Sequence, residues 1–149
     1  MKRSILIAVA AVAVLLPTSA ASAEDGGRPI SVQMTGAAER PLPPAGRGGD
    51  PDGTGTATFR VNPGQGEVCY TLTVQNIEAP TAAHIHRAPP TTAGPIVVPL
   101  NPPTNGSISG CAPVSRALAK ELIQTPEAFY VNVHNTRYPG GAVRGQLGS

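Results

Sequence analysis

The run Thr54-Gly55-Thr56-Ala57-Thr58-Phe59-Arg60-Val61, followed by Asn62-Pro63-Gly64-Gln65-Gly66 and then by Glu67-Val68-Cys69-Tyr70-Thr71-Leu72-Thr73-Val74-Gln75-Asn76, decides the fold class. Both arms are rich in Thr and Val, whose branched side chains suit a pleated surface. The segment between them holds the Pro and Gly that a turn with special dihedrals needs. The stretch reads as a β-hairpin. Upstream, Ile30-Ser31-Val32-Gln33-Met34 alternates apolar and polar residues, the pattern of a strand half buried against a core. Gly36 to Gly55, with six Gly and four Pro, is a long irregular connection. Downstream, strands are expected at Ala82 to Arg87, Pro95 to Leu100, Ser107 to Cys111 and Phe129 to Asn135. A last one, Ala142 to Leu147, returns after a turn at Tyr138-Pro139-Gly140-Gly141. One helix interrupts the series: Ser115 is placed to cap it, Leu118, Leu122 and Ile123 recur at helical spacing, and Pro126 ends it.

With no Trp, two Phe and three Tyr, the core has to be built mainly from Val, Ile, Leu and Ala. Seventeen Gly and 17 Pro punctuate short β-branched runs. The expected fold is therefore all-β, a Greek-key antiparallel β-sandwich with one short crossover helix covering one end.

The N-terminus points to export. Lys2 and Arg3 precede an uninterrupted apolar run from Ile5 to Leu16, and Ala21-Ser22-Ala23 supplies the small residues a signal peptidase requires. Residues 1–23 are read as a signal peptide, and 24–149 as one domain beginning at Glu24. The apolar run is shorter than the roughly 20 residues a membrane-spanning helix needs, and no later segment is long enough. Cleavage removes Lys2 and Arg3 and leaves nine basic against nine acidic residues. That balance, without any cluster of Lys or Arg among aromatics, argues against nucleic acid and anionic membranes as partners.

Cys69 and Cys111 are expected to form a structural disulfide, because pairing is the default in an oxidising compartment. Neither a Cys-x-x-Cys nor a Cys/His pair supports a metal role for them. Asp50-Pro51-Asp52-Gly53 offers two carboxylates but lacks the further oxygen ligands of a calcium loop, so it reads as a solvated turn. Gly106-Ser107-Ile108-Ser109-Gly110 has Ile where a nucleophile elbow needs Ser.

The chain has three histidines, His84, His86 and His134. His84 and His86 stand at i and i+2 of a strand, on one face and about 7 Å apart along the chain, so both imidazoles can converge on one ion. In the second strand Val131 and Val133 share one face while Asn132 and His134 share the other. The three histidines are read as a possible shared metal site, with copper the preferred ion because Cu(II) stands highest in the general affinity order for nitrogen ligands. Binding is expected to weaken below about pH 6, where imidazole protonates. Asn132 is placed to orient an imidazole from the second shell of ligands. Arg144 has two readings, an anion attractant beside His134 or a structural residue bonded to loop carbonyls, and the structural one is preferred.

Several blocks of the chain resemble the CHRD domain family, named after chordin. They are Met34 to Pro44, Gly53 to Phe59, Ala83-His84-Ile85-His86, Gly94-Pro95-Ile96-Val97-Val98, Tyr130 to His134, and Pro139 to Leu147. They occur in family order over nearly the whole mature chain. The resemblance implies an immunoglobulin-like β-structure of an extracellular protein, with no settled activity for secreted single-domain members. A more distant similarity is to copper/zinc superoxide dismutase, a β-sandwich whose copper is held partly by a His-x-His strand; a fourth imidazole and a zinc cluster are absent here. Two functions follow as expectations. One is a secreted, non-catalytic CHRD module that binds an unidentified extracellular ligand or serves the envelope. The other is a copper-binding protein using His84, His86 and His134, with redox activity as its extension.

Overall fold

The computed structural model describes residues 26–40 and 48–148; the expected signal peptide, the expected start at Glu24 and part of the Gly36–Gly55 connection lie outside the described residues. Among the described residues there are eight strands: β1 (Arg28–Thr35), β2 (Thr54–Asn62), β3 (Glu67–Gln75), β4 (Pro80–Arg87), β5 (Ile96–Leu100), β6 (Ser107–Pro113), β7 (Phe129–Asn135) and β8 (Val143–Gln146). An α-helix, α1 (Arg116–Gln124), joins β6 to β7. The β2–β3 hairpin is in register from Thr54↔Gln75 to Asn62↔Glu67. Its turn is held by Asn62, whose Oδ1 accepts from the backbone of Gly64 at 3.0 Å and Gln65 at 3.1 Å.

The strands form one antiparallel sheet in the order β5-β4-β7-β8-β1-β2-β3-β6. This differs from the two separate sheets of the expected sandwich. The sheet still has two four-stranded halves, which meet at the single pair Thr35↔Arg144 between β1 and β8. It curls until the edge strands β5 and β6 touch, which nearly closes a barrel. Across that seam the backbone N–H of Asn101 donates to the Tyr70 hydroxyl at 2.9 Å. Alternation along a strand specifies which residues face inward but not which neighbour the strand pairs with, so one curled sheet and two stacked ones have the same local pattern.

The inward face is apolar throughout. Alternate residues of β2 and β3 are buried, among them Ala57, Phe59, Val61, Val68, Tyr70, Leu72 and Val74. Ser115 caps α1 by accepting from Leu118 N at 3.1 Å, and Ala119 and Leu122 are buried in the core cluster. The helix therefore closes one end of the sheet's interior. Cys69 and Cys111 face each other in the β3–β6 register and form the disulfide, which ties edge strand β6 to the sheet.

β7 departs furthest from alternation, with every residue buried. Val131 and Val133 enter the core, while Tyr130, Asn132 and His134 lie on the outer face, beneath loops. That covered outer face holds the histidines.

Candidate metal centre

β4 and β7 are antiparallel neighbours with Ala82↔His134, His84↔Asn132 and His86↔Tyr130 in register. Side chains directly or diagonally opposite on one face of such a pair are within reach of each other. The register therefore brings the histidines of the two strands together. One ring nitrogen from each of His84, His86 and His134 can be chosen so that all three lie within 4.8 Å of one another. Among the described residues the other such group, Glu67 with Cys69 and Cys111, has its two sulfurs in the disulfide.

Hydrogen bonds determine which nitrogen of each ring is free. His86 Nδ1 lies 2.8 Å from Gly94 O and His134 Nδ1 lies 3.0 Å from Pro139 O. A carbonyl only accepts, so both Nδ1 atoms carry protons and both Nε2 atoms keep their lone pairs. Backbone carbonyls orient metal-ligating histidines in the same way. His84 Nδ1 is 3.1 Å from His134 Nε2 and donates to it. An ion between these two nitrogens would take the place of that proton, which would move to His84 Nε2. The donor set would then be His84 Nδ1, His86 Nε2 and His134 Nε2, and His86 Nε2 is buried with no donor facing it while the ring is neutral.

All three imidazoles favour the neutral form that binds metal. Burial, and then the neighbouring rings of His134 and His86, bring the His84 pKa down to about 4. Burial also lowers His86, against the opposing effect of Gly94 O and Asn132, and lowers His134, against that of Pro139 O.

Asn132 and Arg144 both lie on this face, opposite each other in the β7–β8 register. Arg144 is 1% exposed, and its guanidinium donates to Thr92 O and Pro89 O, both at 2.9 Å, and to Gln146 Oε1 at 3.3 Å. It also sits 3.5 Å above the Tyr130 ring, on which His86 stacks at 4.7 Å and 5°. Gln146 Nε2 adds a bond to Ala88 O at 2.8 Å. Arg144 and Gln146 thus hold the β4–β5 loop that presents Gly94 to His86. Replacing Arg144 with Met leaves two loop carbonyls without their charged donor, and at ~1.5 kcal/mol for each such bond the expected loss is about 3 kcal/mol in urea unfolding. Arg144→Lys should recover little of it, because an ammonium lacks the planar fork that reaches both carbonyls.

Two residues of the site escape a reading of the sequence. Tyr130 is two positions from Asn132 on the same strand face, so period-2 alternation could have found it. Glu39, 6% exposed, accepts from Asn132 Nδ2 at 3.1 Å, and nothing in the sequence connects residues 93 positions apart. Asp50 is buried rather than solvated and accepts from Asp52 N at 3.3 Å within its own turn.

Fold and site together define a nearly closed antiparallel β-structure with a histidine cluster on its outer face under loops. The family model for the CHRD domain matches residues 30–147, and the chain belongs to that family. No curated protein and no solved structure matches the chain. Among the described residues, no helix is long and apolar enough to cross a membrane.

Proposed function

We propose that this CHRD-domain protein is an exported, non-catalytic metal-binding module whose histidine cluster takes one transition-metal ion, copper in preference to others. The observation that carries the reading is the convergence of three imidazole nitrogens from two strands, with the tautomers of His86 and His134 set by backbone carbonyls. Three neutral nitrogens in an incomplete shell suit Cu(II) above the other divalent ions of its row. Export rests on the signal-like segment 1–23 and is consistent with the disulfide. The lack of a fourth imidazole and of a zinc cluster keeps dismutation outside the proposal.

Titration of the untagged protein with Cu(II) should give one bound equivalent with nitrogen hyperfine structure in its EPR spectrum; absence of stoichiometric binding would overturn the reading. Proton competition provides a second measurement. An unperturbed imidazole loses metal as pH falls through about 6.5. The lowered pKa values hold these rings neutral further down, so binding should persist through pH 6 and fade toward the His84 value of about 4. For the metal-free protein the sign is set by the unfolded chain, which takes up protons below about 6.5 while the folded site resists them. Stability should therefore be fully present above that pH and decline as pH falls from there toward 4.

A further inference from the structure

Asn132 shares the outer face with the three histidines. It is directly opposite His84 in the β4–β7 register, diagonal to His86, and two residues from His134 on the same strand face. It is 1% exposed, and its side chain lies against the His86 imidazole. Its amide is anchored at one end, where Nδ2 donates to Glu39 Oε1 at 3.1 Å. The other end, Oδ1, is buried against the His86 ring, and while His86 is neutral neither Oδ1 nor His86 Nε2 has a hydrogen-bond donor facing it.

Both orphaned atoms are acceptors. Oδ1 has only lone pairs, and Nε2 has one because the His86 proton is on Nδ1, bonded to Gly94 O. A buried acceptor left unmatched costs on the order of 1–3 kcal/mol, and two that adjoin the same cluster fit a cation better than they fit each other. Turning the amide over would offer Nδ2 to His86 Nε2 but take it from both Glu39 Oε1 at 3.1 Å and Gly140 O at 3.5 Å. That would point Oδ1 at the Glu39 carboxylate, whose other oxygen already accepts from Arg40 N at 3.2 Å. Space for the Glu39–Asn132 pair comes from Gly141, where a Cβ would fall 2.0 Å from Glu39 Oε1 and 3.0 Å from Asn132 Nδ2. The φ of +139° at Gly141 also disfavours a side chain.

We infer that Asn132 is the fourth protein ligand of the metal centre, donating through Oδ1, and that Glu39 is the positioning residue that turns this oxygen toward the histidines. The inference rests on the three-histidine reading and makes the complete donor set three imidazole nitrogens and one amide oxygen. It reassigns Asn132 from an outer partner of the histidines to a ligand.

The test uses the untagged protein with Cu(II) as probe. With [13Cγ]asparagine incorporated, bound Cu(II) should show a 13C hyperfine coupling in ENDOR, lost in Asn132→Leu. The same variant should still bind one equivalent through three nitrogens, with shifted g and A values and affinity lowered about tenfold or more. Glu39→Gln should move the EPR spectrum in the same direction, because an amide at that position no longer selects which end of Asn132 faces the site. No 13C coupling in the wild-type protein, together with an EPR spectrum unchanged in Asn132→Leu, would overturn the inference while leaving the three-histidine reading in place. Failure of the wild-type protein to bind Cu(II) would overturn both. The isotope measurement is made on the wild-type chain and does not depend on either variant folding.

Discussion

His134→Ala should abolish stoichiometric copper binding as completely as His84→Ala or His86→Ala does. The reason is the strand pairing: β4 supplies two imidazoles and β7 the third, and the register that sets Ala82 opposite His134 brings His134 Nε2 to 3.1 Å from His84 Nδ1. Loss of an outer partner of a metal ligand costs about 10–100-fold in affinity, and loss of an imidazole ligand should cost more, at least about 100-fold at each of the three histidines. Isothermal titration of each untagged variant with Cu(II) measures this directly. Equal losses at all three positions support one shared ion. If His134→Ala binds as tightly as wild type while His84→Ala and His86→Ala do not, the ion is held by β4 alone and the two-strand site is wrong. None of the three changes should alter the fold greatly, because the rings lie on the outer face of the sheet and leave the apolar interior intact.

Removing the disulfide should have the opposite profile, a large loss of stability with metal binding unchanged. Cys69 and Cys111 close a loop of 42 residues, for which the chain-entropy model gives roughly 4 kcal/mol. Against a typical total of about 5–15 kcal/mol that is a substantial share. The bond fastens β6, which pairs on one side only, to β3 in the half of the sheet away from β4 and β7. The double variant Cys69→Ser, Cys111→Ser should show this loss in urea unfolding, and one below about 1 kcal/mol would mean that the strand pairing alone holds β6. Its Cu(II) affinity, measured under native conditions, should match that of the wild-type protein.

Much of the fold was legible residue by residue. Alternating Thr and Val in 54–76 and the Pro-Gly turn between the arms specify a hairpin wherever the chain goes, because both are properties of adjacent residues. Ser115 as helix cap is equally local. The joining of all strands into one sheet was not legible, since β1 is hydrogen-bonded to β2 on one side and β8 on the other, and periodicity does not encode pairing partners. Within the site, His84 and His86 were visible as a pair from i, i+2 spacing alone. Their meeting with His134 depends on a register between segments 50 residues apart.

The sequence by itself determined the all-β class, the strand segments, the face each histidine occupies and the chemistry an imidazole can offer, because each follows from short-range spacing and residue type. The tertiary structure alone decided that the histidines form one cluster, that Gly94 and Pro139 carbonyls select their tautomers, and that Glu39 reaches Asn132 through the gap Gly141 leaves. The physical reason is that these contacts arise from strand register and from loops folded over the outer face. Both are set by burying the whole apolar surface at once, a constraint that no local pattern carries.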